Sequence, residues 1–352
     1  MLAIASRDRE FSQACFGETQ KPTRETRAFP KTGAATQNVN FMTKRDLPKK
    51  IAVLMGGPGS ERDVSLATAR GVSKALRSLG IDVVDVDVRD ANFQLPKDVD
   101  LAFNCIHGTF GEDGQIQKIL EDRAVAYTGD GVEASRIAFD KVLSKEKFLA
   151  HNVLTPESEV IDAGQRPKMS VPLVVKAARQ GSTVGIVIVR DETTLDGALK
   201  EAAKYDRKLL IEKFVSGREL TIGILGDQAL PIIEIIPKGG FYDFNTKYPF
   251  LNPQAGASAE HVCPAKIDSS LTKKIQELAL AAFRALGLVV YGRVDLLLTE
   301  QGEPFVLEVN TIPGMTETSL LPEAAGVAGI SYVDLCVRII ELSRAREERA
   351  QR

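Results

Sequence analysis

Three oxygen-bearing side chains, Asp295, Glu308 and Asn310, lie on two strand-like segments that a short turn separates. Residues 291–298 and 304–309 have the apolar content of strands, and the Gln-Gly pair between them is typical of a turn. A hairpin of this kind brings the three side chains together. Two carboxylates and an amide oxygen suit Mg²⁺, which often shares its ligands with substrate phosphates. The segment therefore predicts a magnesium site.

The alternative is a hairpin whose acidic side chains are simply solvated, because Asp and Glu are common on exposed strand faces. Arg293 favours the functional interpretation. It stands two residues before Asp295 and so shares a strand face with it. A cation beside a metal site suits a reaction in which negative charge develops.

A glycine-rich segment, residues 181–185, follows an apolar strand that ends at Lys176. Its small residues would let backbone N–H groups approach phosphate oxygens. A lysine at the end of such a strand must either reach solvent or meet an anion. The chain lacks GxxxxGK[ST], and Arg62 stands where a dinucleotide fingerprint needs its third glycine. A glycine-rich hairpin without any ligand remains the alternative at this point.

Several further motifs occur in a fixed order along the chain. They are GGPGSERDVSL at 56–66, HGTFGEDG at 107–114, YTGDGV at 127–132, KAARQGSTVG at 176–185, LIEKFVSGRELT at 210–221, FYDFNTKY at 241–248, GRVD at 292–295 and LEVNTIPGMT at 307–316. Together they resemble the ATP-grasp ligases and, more narrowly, the D-alanine–D-alanine ligases. The resemblance extends from about residue 49 to about residue 343.

The resemblance implies an ATP site. Phosphate groups would contact Lys141, Lys176, Lys247 and Ser182, and the carboxylate of Glu219 would hold the ribose hydroxyls. The residues implied at adenine are Glu212, Lys213, Phe214 and Val215. Without the resemblance, Lys141 and Lys247 would be interpreted as solvated surface lysines.

The resemblance also implies the reaction: ATP phosphorylates one D-alanine, and the amine of a second attacks the acyl phosphate, giving D-alanyl-D-alanine for peptidoglycan precursors. Asp295, Glu308 and Asn310 would bind Mg²⁺ or Mn²⁺, with two ions expected and Glu308 between them. Arg293 and a backbone N–H near Gly314 would stabilise the oxyanion of the tetrahedral intermediate. The lack of a G-x-S-x-G elbow or a cysteine nucleophile motif agrees with this mechanism.

Four residues are implied at the amino acids. Glu61 would accept the ammonium of the first D-alanine with His107 close by, although a lone histidine after a strand is often a structural hydrogen bonder. Ser319 and the backbone of Leu320 would hold the carboxylate of the second D-alanine at a helix start, where the dipole favours an anion.

Tyr248 is the residue implied in acceptor specificity. In the family, a tyrosine at this place joins Ser182 and Glu61 in a hydrogen-bonded triad that closes a loop over the site. Relatives that make D-alanyl-D-lactate lack this tyrosine, so its presence predicts an acceptor that carries an amine. The segment that follows, residues 249–265, departs from the family pattern.

The composition of the chain limits the classes of function that it can have. The formal net charge is −2, with 45 Lys and Arg interspersed among 47 Asp and Glu, so we expect neither a nucleic acid nor an anionic membrane as partner. We find no apolar run long enough for a membrane span, and charged residues occupy positions 7–10, which predicts a cytoplasmic protein. The four cysteines lack CxxC spacing, so buried thiols are expected.

The pattern of elements predicts an α/β fold of the ATP-grasp type, with an N-terminal parallel sheet and an α+β nucleotide-binding part. We expect a disordered extension over 1–48, a substrate domain over 49–129, a central subdomain over 130–212 and a metal-binding subdomain over 213–346. Met42 is an alternative start, and Ser65 is expected to cap the first helix. A homodimer is expected.

Two rival functions stay open at this stage. One is a ligase of the same fold that uses another amino acid, hydroxy acid or peptide. The other is a regulatory protein that binds a nucleotide without turnover. Asp295, Glu308, Asn310 and Arg293 together argue against the second, because a binding module needs no oxyanion donor.

Overall fold

Three β-sheets organise the chain in the computed structural model, which describes residues 47–181, 184–236 and 259–350. The first sheet is parallel, in the order β2-β1-β3. Its strands are β1 (Lys50–Gly56), β2 (Asp82–Val88) and β3 (Leu101–Asn104). Helices α1 (Arg62–Ser78) and α2 (Gln115–Asp122) follow β1 and β3. The predicted parallel sheet is confirmed.

The predicted start of α1 is wrong. Ser65 is not the cap, because the helix begins three residues earlier at Arg62 with Glu61 at the N-cap position. The Ser65 hydroxyl instead donates to the carbonyl of Glu61, 3.1 Å away, inside the first turn. Glu61 is thereby fixed at the point where the glycine-rich loop after β1 becomes a helix.

The second sheet is antiparallel, in the order β4-β7-β5-β6. Its strands are β4 (Ser158–Asp162), β5 (Leu173–Ala177), β6 (Ile186–Val189) and β7 (Lys208–Lys213). Its helices are α3 (Val132–Phe139), α4 (Lys141–Ala150) and α5 (Leu195–Ala202).

The third sheet is antiparallel, in the order β11-β10-β8-β12-β13, with the short β9 paired to β8. Its strands are β8 (Arg218–Leu225), β9 (Gln228–Ala229), β10 (Ile233–Ile236), β11 (Glu260–Val262), β12 (Tyr291–Leu298) and β13 (Pro304–Asn310). Helices α6 (Ser269–Ala285), α7 (Leu320–Val327) and α8 (Tyr332–Ala350) complete the described chain. The predicted hairpin of β12 and β13 is confirmed.

Apolar packing joins the first sheet to the C-terminal helices. Ile51 and Val53 of β1 belong to the same buried cluster as Leu335 and Ile339 of α8. A buried interface of this kind holds the loops after β1 and β3 close to the segment after β13. The division into domains at residues 129 and 212 stays a prediction.

Across the described ranges, none of the helices has the length and apolar character needed to cross a membrane. Cys105 and Cys336 are buried free thiols, as expected, while Cys263 is only partly buried.

Candidate active site

The β12–β13 hairpin places Asp295 directly opposite Glu308 and Arg293 directly opposite Asn310. The register shifts just after Asp295, so Leu307 is an extra residue on β13. A bulge of this kind turns a strand locally and is common beside active sites. All four predicted polar residues of the hairpin therefore lie within a few residues of one bulge.

The carboxylate of Asp295 is held by four donors. Arg293 donates to both of its oxygens, at 2.9 and 2.8 Å. Thr221 of β8 donates to Oδ1 at 2.5 Å, and the Asn310 amide donates to Oδ2 at 3.2 Å. A carboxylate offers about four lone-pair positions. Its acceptor positions are therefore occupied by donors from the hairpin and from β8.

Glu308 is contacted by a lysine from outside the hairpin. The Nζ atom of Lys141, at the first position of α4, lies 3.5 Å from its Oε2 atom and donates to the carbonyl of Gln180 at 2.5 Å. Lys141 is buried, which contradicts the alternative of a solvated surface lysine. The side chain links α4, the segment before the glycine loop and the β12–β13 hairpin.

A cleft that is partly open to solvent separates the second sheet from the third. Val174, Ile186 and Ile188 line one wall, and Leu297 and Leu307 line the other. The predicted residues in its lining are Lys176, Glu212, Lys213, Phe214, Val215, Glu219, Asp295 and Glu308. Two apolar walls with charged groups in the same lining suit a flat ring that carries an anionic tail.

Glu212 is almost fully buried at the edge of this cleft, where Lys176 and Lys145 contact one carboxylate oxygen each. Burial alone would raise the pKa of Glu212, but the two ammonium groups outweigh it and hold the pKa below its usual value. The carboxylate is therefore ionised at neutral pH. The three groups together carry one positive charge in excess, which suits a polyphosphate.

A second, narrower cavity adjoins the hairpin. Its lining includes Glu112, Gln180, Gly181, Lys141 and Asn310. Glu308 lines both this cavity and the larger cleft, so the two spaces meet at its carboxylate.

Glu61 lies at the Gly181 end of the narrow cavity, with its carboxylate between two glycines. A Cβ atom on Gly108 or on Gly181 would stand 2.7 Å from its Oε1 atom. Both positions therefore need glycine while the carboxylate is there. The buried Glu61 is thus fixed between the loop after β3 and the start of the glycine loop.

This arrangement predicts the effect of Gly181→Ala. The backbone at Gly181 is outside the left-handed region, so the methyl group acts mainly by displacing the Glu61 carboxylate. We expect kcat/KM for D-alanine to fall about tenfold, since small displacements of positioning groups are costly. Steady-state kinetics and thermal unfolding of Gly181→Ala check this.

The matched control is Gly197→Ala in α5, where a Cβ would meet no atom within 4 Å. It should retain parental kinetics. Unchanged kinetics in both variants would mean that the position of Glu61 is not critical.

His107 is buried, and both ring nitrogens are bonded. Nδ1 lies 2.8 Å from the carbonyl oxygen of Ile312 and Nε2 lies 2.9 Å from Oγ1 of Thr68 in α1. A carbonyl only accepts, so Nδ1 carries a proton and, in the neutral ring, Nε2 accepts from Thr68. In this structure His107 links α1 to the segment after β13, in agreement with the structural alternative.

The Gly314 turn, residues 312–316, is fixed on both sides of Gly314. The Met315 N–H donates to Thr68 at 3.3 Å, and the Tyr332 hydroxyl donates to the Met315 carbonyl at 2.5 Å. The Ser319 hydroxyl accepts from the Thr316 N–H at 3.0 Å and would lie 2.9 Å from a Cβ on Gly314. Ser319 also occupies the N-cap position of α7, whose first residue is the buried Leu320.

Tyr332→Phe tests the rigidity of this turn. The change keeps the ring and removes the donor to the Met315 carbonyl. We expect about 1 to 3 kcal/mol less free energy of unfolding, because a largely buried acceptor loses its partner. Turnover should fall about fivefold with the nucleotide KM unchanged, because the reacting groups are less well positioned.

Denaturant unfolding and steady-state kinetics measure both quantities for Tyr332→Phe. Tyr205→Phe, at an exposed tyrosine, is the control. Parental turnover in Tyr332→Phe would show that the turn does not need this bond.

Three predicted residues, Ser182, Lys247 and Tyr248, lie outside the described residues. The proposed triad of Tyr248, Ser182 and Glu61 therefore stays a prediction.

Sequence reasoning missed Lys145, Thr68 and Tyr332. Lys145 stands four residues after Lys141, on the same helix face, and that spacing was an available signal. Thr68 and Tyr332 offered no such sequence signal, because each of them bonds Met315, which is far from it in the sequence.

The comparisons with known proteins agree with this geometry. The family model described as the D-ala D-ala ligase C-terminus matches residues 143–341, and the N-terminus model of the same family matches residues 87–130. Together the two matched ranges contain the cleft, the hairpin and the Gly314 turn.

Relatives and solved structures extend the match to most of the chain. The D-alanine–D-alanine ligase of Methylacidiphilum infernorum is 47% identical over 300 residues, which cover 85% of this chain and 97% of the relative. The ligase of Syntrophotalea carbinolica is 46% identical over 297 residues, which cover 83% of this chain and 95% of the relative.

Among solved structures, the Bacillus anthracis D-alanine–D-alanine ligase complexed with ATP is 32% identical, with a TM-score of 0.74 over 86% of this chain and 99% of that one. The VanG D-Ala:D-Ser ligase of Enterococcus faecalis is 28% identical, with a TM-score of 0.74 over 84% of this chain and 100% of that one. With a family model matched over more than half of its length and relatives this similar, the chain belongs to the D-alanine–D-alanine ligase family.

Proposed function

We propose that this protein joins two molecules of D-alanine to D-alanyl-D-alanine at the expense of ATP, for peptidoglycan precursor synthesis. The observation that carries the proposal is the position of Glu308, which lines both the large cleft and the cavity that leads to Gly181 and Glu61. A phosphate donor in the cleft and an acceptor in the cavity would meet at this residue. The names of the relatives support the choice of substrates.

ATP fits the cleft between the second and third sheets. Its base would lie between the apolar walls, beside the strand end formed by Glu212, Lys213, Phe214 and Val215. The excess positive charge near Lys176 and the buried ammonium of Lys141 suit its phosphates. Glu219, in the same lining, would hold the ribose. The solved B. anthracis relative was crystallised with ATP, which supports this assignment.

Asp295, Glu308 and Asn310 would hold Mg²⁺ or Mn²⁺. The described chain contains no group of three or more His, Cys, Asp or Glu side chains arranged for a metal, and the predicted set itself has only two carboxylates. The donor types fit such an ion, because the Glu308 carboxylate lines the cleft and a turned Asn310 amide would offer its oxygen and release one acceptor position of Asp295. Bound divalent cations would supply positive charge to the transferring phosphoryl group.

The first D-alanine would place its ammonium at Glu61 and its carboxylate towards Glu308. Its carboxylate oxygen attacks the γ-phosphorus, which gives an acyl phosphate and ADP. Lys141 would hold a phosphate oxygen during this transfer, and its distance of 3.5 Å from Glu308 supports that role. His107 acts indirectly, by fixing the Ile312 carbonyl.

The second D-alanine would bind with its carboxylate at Ser319 and the Leu320 N–H, at the start of α7. Its free amine attacks the acyl carbon, phosphate leaves, and a proton is released. The tetrahedral oxyanion formed on the way would be stabilised by Arg293 and the Gly314 N–H. The fixed Gly314 turn supports the latter role, because a preorganised donor needs no rearrangement during the reaction.

The test is phosphate release by the purified protein with ATP, Mg²⁺ and D-alanine. We expect turnover with D-alanine and none with L-alanine, because Glu61 and Ser319 would select one handedness. Mass spectrometry with D-serine or D-lactate as second substrate distinguishes the rival acceptors, the D-serine arm being motivated by the VanG relative. Equal turnover with L-alanine, or none with any amino acid, would refute the proposal.

The protein would act in the cytoplasm as a homodimer. The supply of ATP supports the cytoplasmic location, and the frequency of twofold assemblies among proteins supports the homodimer. Size-exclusion chromatography with light scattering measures the oligomeric state.

A further inference from the structure

Lys145 is a buried lysine that does not itself line the cleft, yet it contacts two parts of the chain that reach the cleft lining. Its Nζ atom donates to Oγ1 of Thr155 at 2.5 Å and to the carbonyl of Pro156 at 3.1 Å, and it also contacts the Glu212 carboxylate. Two of the three ammonium donors are used in these hydrogen bonds, and the contact with Glu212 is an ion pair. Lysine is rarely buried so completely without a specific partner.

The bonds of Thr155 continue the link into the third sheet. Its hydroxyl donates to the carbonyl of Val306 on β13 at 2.8 Å, and the Val306 N–H donates to the carbonyl of Leu154 at 2.9 Å. Val306 stands two residues before Glu308 on the same strand. Lys145 therefore connects α4 and the strand end at Glu212 with the strand that carries Glu308.

The Glu212 carboxylate divides its two oxygens between two lysines. Oε1 contacts Lys145 and Oε2 contacts Lys176, so each lysine limits where the carboxylate can turn. If Lys145 were absent, Glu212 could rotate toward Lys176, and the Lys176 ammonium would be withdrawn from the cleft by an undivided negative charge. The local excess of positive charge would also disappear.

We propose that Lys145 is a positioning residue for the nucleotide: it fixes Glu212, and through Glu212 it keeps the Lys176 ammonium available to phosphate. This rests on the proposed function, because it takes the cleft to be the ATP site. Lys145 itself touches no part of the nucleotide. Its effect should therefore fall on nucleotide binding and not on the amino acid sites, which lie at Glu61 and Ser319.

A purely structural role for Lys145 makes a different prediction. A buried ion pair that loses one partner is destabilising wherever it lies in a fold. Such a loss would lower the unfolding temperature and impair all substrates alike. A selective loss of nucleotide affinity in the folded protein distinguishes the two roles.

The experiment compares three variants of the full chain. Lys145→Met removes the ammonium and keeps an unbranched apolar side chain. Thr155→Val removes the hydroxyl between Lys145 and Val306 with almost no change of shape, and it is the milder variant. Lys147→Met removes the same charge from an exposed position of α4, and so it controls for net charge.

Nucleotide affinity is measured by calorimetry with a non-hydrolysable ATP analogue, and KM for D-alanine by steady-state kinetics at saturating ATP. For Lys145→Met we expect nucleotide affinity to fall by about tenfold or more, as when an outer partner of a bound group is removed. Thr155→Val should show a smaller loss of the same kind. In both variants KM for D-alanine should stay within about twofold of the parental value. Every constant measured for Lys147→Met should stay within the same range.

Parental nucleotide affinity in a folded Lys145→Met or Thr155→Val would overturn the inference, as would equal losses for nucleotide and D-alanine. If Lys145→Met does not fold, Thr155→Val decides alone, and failure of both to fold would assign the cluster to stability only. Failure of the proposed function is separate, because it would appear in the parent protein as an absence of D-alanine turnover.

Discussion

Glu308→Gln is expected to lower kcat by about a hundredfold or more, the scale seen when a group that stabilises transition-state charge is removed. The variant keeps the shape of the side chain and loses its negative charge. Glu308 lies where the cleft and the narrow cavity meet, 3.5 Å from the Lys141 ammonium. The charge is therefore lost at the place where the phosphoryl group would be transferred.

Nucleotide affinity should change much less in Glu308→Gln. The apolar walls and the Lys176–Glu212–Lys145 cluster are untouched, and under the proposed function these would supply the binding that is independent of the reaction. The Mg²⁺ concentration needed for half-maximal rate should rise, because the carboxylate proposed as a metal ligand becomes an amide.

Kinetics at varied Mg²⁺ and calorimetry with an ATP analogue separate these effects. The control is Glu303→Gln, on an exposed residue just before β13 of the same hairpin. A kcat for Glu308→Gln close to that of the parent would mean that the metal assignment is wrong.

The hairpin could be predicted because its evidence is local. Two apolar runs around a turn, with polar residues on both, predict that Asp295, Glu308 and Asn310 come close together without knowledge of the rest of the chain. The bulge at Leu307 could not be predicted in the same way. It depends on the neighbours of β12 and β13 in the sheet, which a local pattern does not contain.

Local patterns also explain the error at Ser65. A serine ahead of an apolar face is typical of a helix cap, yet here its hydroxyl bonds back to the Glu61 carbonyl within the helix. The contacts that build the site are longer in range. The carbonyl of Ile312, which bonds the ring of His107, is 205 residues away in the sequence. Glu212 lies on β7, whereas its partner Lys145 lies on α4. No periodicity in the sequence encodes such pairs.

Arg293→Lys is expected to lower kcat by about a hundredfold, although charge is conserved. Arg293 binds Asp295 through Nε and Nη2, one bond to each oxygen, and a lysine cannot reproduce that planar pair of donors. A single ammonium that stays with Asp295 is unavailable to the oxyanion. One that moves to the oxyanion leaves a buried carboxylate with fewer donors, so either way a function of the arginine is lost.

Arg218→Lys is the matched control. Arg218 also donates from Nε and Nη2 to the two oxygens of a carboxylate, at 2.7 and 2.6 Å from Glu234, but at the start of β8 and with more exposure to solvent. A pair of this kind contributes about 1 kcal/mol or less to stability, so this variant should retain parental kinetics.

Single-turnover measurements locate the defect of Arg293→Lys: acyl phosphate formation should be slowed less than peptide bond formation, because the oxyanion develops in the second step. If both variants keep parental rates, Arg293 serves only to hold Asp295, and the oxyanion must be stabilised by the Gly314 N–H without it.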